Sequence, residues 1–229
     1  MIAEMLAEHL YPSSRARAWL ASLPPATTPV EAWRTCDDPR WIAWFIASLD
    51  RARGIDLAVK VARFTLEIVR YDEDLAGALV TTESALAAYR RGKDWRGGGR
   101  LDALLAEKRI ASGAAAGAVE VAAALAALAD RDEWNSSGPV LRRSLAALAR
   151  GDRSFDEGRE REAAAKWPRA RAHSARSVMC AARAVRELLQ CEHASSTAFA
   201  TKAVEHAVAA TSRAAILTLV RREFSRGVS

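Results

Sequence analysis

Cysteine and histidine are the side chains of this chain with the widest chemical use, and both are sparse. Cys191 lies two residues before His193, which pairs a thiol with an imidazole, as nucleophilic catalysis requires. Catalytic cysteine and histidine are normally brought together by the fold rather than by adjacency in sequence. We therefore predict that Cys191 is not a nucleophile, and that His206, on the apolar side of the last helical pattern, is a core residue.

Metal ligation has no sequence signature here. The chain has no HExxH motif, no paired CxxC motif and no two histidines four residues apart. We predict neither a metal site nor a cofactor.

The carboxylates show no acid/base pair. Asp72, Glu73 and Asp74 are consecutive, so a helix would point them in different directions. The acidic residues between Glu157 and Glu162 alternate with arginines, which is typical of a solvated, self-paired surface. We predict that the chain is not an enzyme.

One stretch of the sequence carries charges of a single sign, because its charged residues are all basic. Its bases, with no acid among them, are Lys166, Arg169, Arg171, Arg176, Arg183 and Arg186. A stripe of this kind could meet phosphates or an acidic protein surface. The alternative is a solvated face whose acidic partners lie on neighbouring helices. We predict that the arginines of this list form the partner-binding surface.

Composition predicts an all-α fold. Of 229 residues, half are apolar, 27% are charged and only 12 are glycine. Alanine, leucine, arginine and glutamate dominate, and these residues lose little side-chain entropy in a helix. No stretch shows the alternation of a strand. We expect one domain over 1–229, either a multi-helix bundle or a short α-solenoid of about ten helices. The glycine-rich segment 95–100 is a candidate hinge that would divide it.

The segment 28–50 predicts the packing centre. Thr28-Pro29 and Asp38-Pro39 are two consecutive helix starts, the first with Glu31 placed for a capping box. The second helix is apolar almost all round, which indicates burial, and a helix over about 56–70 follows. The predicted structural core consists of Trp33, Trp41, Trp44, Phe45 and Phe64. A ligand cage is the other interpretation of these aromatic residues.

The second half predicts longer helices with defined breaks. We expect helices at 101–111 and 114–130, the latter tightly packed because it is rich in alanine. A loop at 135–139, a helix to Arg150, and a capped start at Ser154 follow. Pro168 should end or kink the next helix. One last helix should run from Ser195 or Ser196 to about Phe224.

Two stretches of this chain resemble each other. Residues 84–92 and 143–151 share leucine, alanine, arginine and glycine positions, and each precedes a charged linker. This similarity predicts an internal duplication, for which repeated alanine is the competing explanation.

Cysteine usage and the first residues predict the compartment. Three widely spaced cysteines do not suit a secreted disulfide framework. The first ten residues carry Glu4 and Glu8 rather than a basic leader, and no apolar run reaches the about 18 residues of a membrane span. We predict a cytoplasmic protein without a membrane segment.

The order Ala32-Trp33-x-x-Cys36-x-x-Pro39-x-Trp41-x-x-Trp44 resembles the N-terminal signature of a family of bacterial all-helical immunity proteins of polymorphic toxin systems. The helix ends at 89–92 and 148–151 and the capped start at 154–157 resemble further parts of that family. The chain departs from the pattern at 61–64, where the family has a cysteine, and around Leu75-Ala76, where it has Arg-Pro. The resemblance implies a helical fold and a cognate toxin as partner, and it implies no catalytic residue.

These observations favour a cytosolic helical protein-binding module, an immunity protein that neutralises a toxin by direct binding. The alternative is a nucleic-acid-associated or regulatory protein that binds phosphates through the basic helix. The oligomeric state is not predicted.

Overall fold

A computed structural model describes residues 14–68, 73–93, 101–150 and 157–225. At 131–150, at 157–168 and at a few further helical positions it describes the backbone alone. These residues are almost entirely helical, and none of them forms a strand. The predicted all-α fold is therefore confirmed. The helices are α1 (Ser14–Ser22), α2 (Pro29–Thr35), α3 (Pro39–Leu49), α4 (Arg51–Ile68), α5 (Glu73–Lys93), α6 (Leu101–Arg150), α7 (Glu157–Leu189), α8 (His193–Ala210) and α9 (Arg213–Ser225).

The two predicted helix starts are confirmed. The Thr28 hydroxyl accepts a hydrogen bond from the Glu31 amide, and the Glu31 carboxylate accepts one from the Thr28 amide at 2.8 Å. This is the capping box, which satisfies amides that the first turn leaves free. The Asp38 carboxylate caps α3 in the same way by accepting from the Arg40 amide at 2.9 Å.

The described residues form fewer helices than the about ten that the sequence predicts, because several predicted breaks are helical. Residues 135–139, predicted as a loop, lie inside α6, and α7 continues through Pro168. Alanine, leucine and arginine surround both positions, and their summed helix propensity outweighs one unfavourable residue.

The last helix is split where one was predicted. The Thr211 amide donates to the Ala207 carbonyl and ends α8, while the Ser212 hydroxyl accepts from the Ala215 amide at 3.2 Å and starts α9. Serine competes with the helix backbone for hydrogen bonds and is favoured as a cap, which explains the break.

Large side chains form one buried cluster, which we call the aromatic cluster. It joins α3, α4, α8 and α9, with Leu20 of α1. Its buried members are Leu20, Cys36, Ile42, Ala43, Phe45, Ile46, Leu57, Val61, Val204, Ala207, Ile216, Leu219, Val220 and Phe224. The Phe45 and Phe224 rings lie 6.4 Å apart, and at the edge of the cluster the Trp41 ring lies 5.5 Å from the Trp19 ring, tilted by 40°.

The predicted core residues lie in or beside this cluster. Phe45 is buried, whereas Trp41, Trp44 and Phe64 are half-buried and pack against it. The side chain of Trp33 lies outside the described residues.

Small side chains form the second buried cluster, which we call the alanine cluster. It joins α4, α5, α6, α7 and α8, and alanine supplies 15 of its 26 buried residues, against two of 14 in the aromatic cluster. Helix α7 lies at its centre, with Ala181, Val185 and Leu188 fully buried. Helices α4 and α8 contribute to both clusters and so connect the two halves of the fold.

Gly54 allows α3 and α4 to meet at a close corner. A Cβ atom on Gly54 would lie 2.2 Å from the Cα of Ala47, closer than any real contact. Asp50 separates the two helices and accepts a hydrogen bond from the Arg53 amide, so α4 begins at Arg51 rather than at about 56 as predicted.

Two predictions lie outside the described residues. They are the glycine-rich hinge at 95–100 and the capped start at Ser154.

Candidate functional site

Helix α6 packs on only one of its sides. Six alanines recur every three or four residues along its inner side and are buried against α5 and α7; they are Ala111, Ala115, Ala118, Ala122, Ala126 and Ala129. Side chains this small allow helix backbones to approach closely. The predicted tight packing of the alanine-rich segment therefore holds for this side.

The opposite side of α6, which we call the outer face, is exposed and apolar. Its residues are Ala106, Ile110, Gly113, Gly117, Val121, Ala124 and Leu128. Ile110 is 73% exposed, Leu128 51% and Val121 41%, and Leu105 at the margin is 51% exposed. Three large apolar side chains, with only glycine and alanine between them on this face, thus meet water, and an exposed apolar face is typical of a surface that another molecule covers.

Two charged residues border the outer face and have no hydrogen-bond or ion-pair partner among the described residues. Arg109 and Glu120 are exposed and form no hydrogen bond or ion pair with another described residue. Nearby charges on α6 are different, because Glu107 pairs with Arg91 of α5 and Lys108 lies 3.4 Å from the Cys191 sulfur. The charges of Arg109 and Glu120, which no described residue neutralises, therefore contribute to the electrostatic potential of the outer face.

Among the described helices, the segment Ala103–Asp130 of α6 has the length and apolar composition that a membrane-crossing helix needs. Only 28% of its most apolar window is buried. Helices of water-soluble proteins pass the same test, and here the exposed share is the outer face.

The predicted basic stripe lies on a helix that is mostly buried. Arg169 and Arg171 are exposed near the start of the described part of α7, and Arg186 is half-buried near its end. Arg176 pairs with Asp130 of α6. The Arg183 guanidinium lies 4.2 Å from the centre of the Phe199 ring of α8, and its Nε lies 3.9 Å from Glu187.

The structure thus brings the five arginines onto one helix but turns them to different neighbours. Arg176 is held by α6 and Arg183 by α8. Their guanidinium groups fix the packing of α7 between those helices as well as carrying charge.

Two of the three thiols are buried. Burial raises the pKa of Cys36 and of Cys180 to about 11, so both remain protonated at neutral pH. A protonated thiol is a poor nucleophile and a poor metal ligand.

Cys191 occupies the turn between α7 and α8. Its φ of 65° is left-handed, and the amides of Cys191 and Glu192 donate to the carbonyls of Leu188 and Glu187. This is the Schellman pattern that ends a helix, where glycine is the preferred residue. Cys191 is therefore placed as a helix terminator, beside Lys108 rather than beside a described imidazole.

A histidine pair links α7 to α8 and was not predicted. The Nδ1 atoms of His173 and His206 lie 3.2 Å apart, and the rings stack at 5.4 Å. Burial lowers the pKa of His206, and His173 and Arg176 lower it further. The two histidines are 33 positions apart in the sequence, and no local pattern indicates which helices become neighbours, so the pair could not be predicted.

A polar cleft of about 250 Å³ lies where α3, α4 and α9 meet. Lys60 Nζ binds Glu223 at 2.6 Å and Asp56 at 3.0 Å, and Asp56 also binds Arg90. Burial opposes the charge of Lys60, but these carboxylates outweigh burial and raise its pKa. Arg53 donates to the last carbonyls of α9, at Glu223 and Phe224. These groups satisfy one another and tie α9 to α4.

In the part of the chain that the structure describes, no three His, Cys, Asp or Glu side chains are grouped as metal ligands would be. No protein-family model, curated protein or solved structure matches this chain. Of the exposed large apolar side chains among the described residues, four lie on α6, namely Leu105, Ile110, Val121 and Leu128.

Proposed function

We propose that this chain is a helical protein-binding module. The observation that carries the proposal is the outer face of α6, where Ile110, Val121 and Leu128 meet water. Covering large apolar side chains releases about 1.5–3 kcal/mol each when burial is complete. A second protein surface supplies such cover, and the neighbouring glycines let it come close.

The specific role that we propose is that of an immunity protein, which neutralises a toxin by direct binding. The support is the resemblance of the Trp-rich segment 32–44 to that family and the basic positions of α7. Arg169 and Arg171 are exposed and would face an acidic toxin surface, together with the exposed part of Arg183. The three free cysteines suit the reducing cytoplasm that this role requires.

The protein-binding proposal is tested by photo-cross-linking. A cross-linking amino acid placed at Val121 should form adducts with another polypeptide, while the same group at Leu49 should not. Leu49 is a matched control, because it is a 64% exposed apolar residue on α3. Equal adduct yields from both positions, at background level, would contradict the proposal.

The immunity role is tested by co-expression with the product of the neighbouring gene. The unaltered chain should restore growth, and Arg171→Glu should weaken protection if the basic positions face the toxin. Arg51→Glu is the matched control, since Arg51 is an exposed arginine of α4. Absence of any protection by the unaltered chain would rule out this role for that gene pair.

Binding to nucleic acid is the second candidate, supported by the exposed Arg169 and Arg171 at one end of the described part of α7. Phosphate contacts release counterions, so the affinity for DNA or RNA should fall steeply with salt. An affinity that is flat between low and high salt would eliminate this candidate.

The internal duplication and a solenoid arrangement also belong to the proposal. Residues 84–92 lie at the end of α5, and residues 143–150 lie at the end of α6. The support is this common position at the end of a helix.

A further inference from the structure

The outer face of α6 has its own internal symmetry, centred near residue 115. Gly113 and Gly117 lie two residues to either side of that point, and Ala106 and Ala124 lie nine residues to either side. Ile110 lies five residues before it, and Val121 lies six residues after it. Between residues 106 and 124, small residues of the outer face thus correspond to small ones, and large apolar residues to large ones.

The two charged residues beside the outer face are also placed about equally far from residue 115, one on each side, and they carry opposite charges. Arg109 lies six residues before residue 115 and Glu120 lies five residues after it. Both are exposed and lack an ion pair with any described residue. At 100° per residue they share one flank of the outer face, and Ile110 and Val121 share the other.

We propose that the outer face of α6 binds the same face of a second copy of this chain, with the two helices antiparallel and crossing at Gly113–Gly117. This inference rests on the proposed function, because it takes the outer face to be a protein-binding surface and names its occupant. A two-fold axis at the crossing places Arg109 of each copy opposite Glu120 of the other. The same axis places Ile110 beside the other copy's Val121.

The glycines make the crossing close. A Cβ atom on Gly113 or Gly117 would meet nothing within 4 Å in this chain, so the space beside them is open to a partner. Close backbone approach then brings Ile110 and Leu128 into contact with the second helix. The contact line from 106 to 128 is about 33 Å long at 1.5 Å per residue.

The charges distinguish this arrangement from its competitors. A parallel pair, related by a two-fold axis along the helices, would place the charged flank of one copy against the flank of Ile110 and Val121 on the other, so neither charge would meet its opposite. A lipid surface would have to take both charges into its apolar region, which is costly. Only the antiparallel pair satisfies both charges.

The test is sedimentation equilibrium of the full chain at about 1–100 µM, comparing charge-reversed variants. The unaltered chain should dimerise. R109E and E120R each create two like-charge contacts per dimer and should raise the dissociation constant about tenfold or more. The double variant R109E/E120R should return it to within about threefold of the unaltered chain. Arg51→Glu, a charge reversal on α4, is the control and should change nothing.

Mixing sharpens the test. R109E and E120R chains, each weakened alone, should form a one-to-one pair when combined, because every charge then meets its opposite. A dimer that is indifferent to all of these reversals would overturn the inference, and so would a chain that stays monomeric throughout the concentration range. Flotation of the unaltered chain with anionic vesicles, lost in Ile110→Glu, would assign the face to lipid instead.

The failure of this inference and of the proposed function can be told apart. A monomeric chain that cross-links from Val121 to a different protein overturns the dimer and leaves the protein-binding function standing. A monomeric chain without any cross-link from Val121 overturns both.

Discussion

The aromatic cluster and the alanine cluster solve the same packing problem in different ways. In the aromatic cluster, the large side chains of Phe45, Ile216 and Phe224 fill the space between the helices. In the alanine cluster, methyl groups such as those of Ala115 and Ala122 let the helix backbones come together. Burial of large side chains stabilises the first, and close contact over a long seam stabilises the second.

The difference explains why the outer face lies on α6. The buried residues in the described part of α6 are all alanine, so large apolar residues are not required on its inner side. They can therefore lie on its outer face, where we propose that a partner binds. Helix α3, in contrast, buries its large residues Ile42, Phe45 and Ile46 in the core. A surface for binding is therefore expected in the alanine half.

The largest effect should come from Gly54→Ala, which tests the closest corner of the aromatic half. A methyl group there overlaps the backbone of Ala47, which lies in helix α3. We expect a loss of about 3 kcal/mol in the free energy of unfolding, measured by urea denaturation. Gly77→Ala is the matched control, since nothing lies near Gly77 on α5, and it should gain about 0.5–1 kcal/mol. Equal effects at both glycines would remove the close corner from this account.

The next effect tests the alanine cluster from within. Ala122→Leu inserts three carbons where α6 is fully buried, and it should separate α6 from its neighbours. The expected cost is about 2 kcal/mol by urea denaturation. Ala198→Leu, at an exposed position of α8, should change stability by less than about 0.5 kcal/mol. If Ala122→Leu stabilised the protein, the alanine cluster would contain a void rather than a tight seam.

The histidine pair should make the contact between α7 and α8 sensitive to acid. The pKa of His206 lies below its ordinary value of 6.5, so the unfolded chain binds a proton more readily than the folded one. Stability is then unaffected above pH 6.5 and falls as the pH drops below it.

His173 and Arg176 of α7 and Lys202 of α8 oppose the added charge, and Glu205 favours it. We expect the free energy of unfolding to be lower at about pH 5 than at about pH 8. In His206→Gln the loss should shrink. An unchanged pH profile in that variant would exclude the pair as its source.

The smallest effect concerns the turn between α7 and α8. Cys191 adopts a left-handed conformation that costs a non-glycine residue about 1 kcal/mol. Cys191→Gly should therefore raise the melting temperature, while Cys191→Ala, which keeps the same strain, should not. A gain in both variants would point to the thiol rather than to the backbone.

Local signals in the sequence predicted the parts of the fold that depend on neighbouring residues. Thr28, Glu31 and Asp38 form the predicted caps, because a cap is decided within four residues. The predicted loop at 135–139 was wrong, and α7 does not end at Pro168, because the propensity of long flanking segments exceeded one local signal.

The sides of α6 could not be predicted, for a physical reason. Alanine lies on both its inner and its outer side, so hydrophobic periodicity cannot tell them apart. Only the larger Ile110, Val121 and Leu128 mark the outer face, and they lie within an otherwise uniform segment. The pairing of Arg176 with Asp130 depends likewise on which helices become neighbours.

Hydrogen exchange at two protein concentrations tests the central claim most directly. If two copies pair through the outer face, amides of residues 106–128 should exchange more slowly at about 100 µM than at about 1 µM. Amides of α3, from Pro39 to Leu49, serve as the internal reference and should not change. Slower exchange confined to 106–128, abolished in Ile110→Glu, is the predicted result. Identical exchange of 106–128 at both concentrations would contradict the claim.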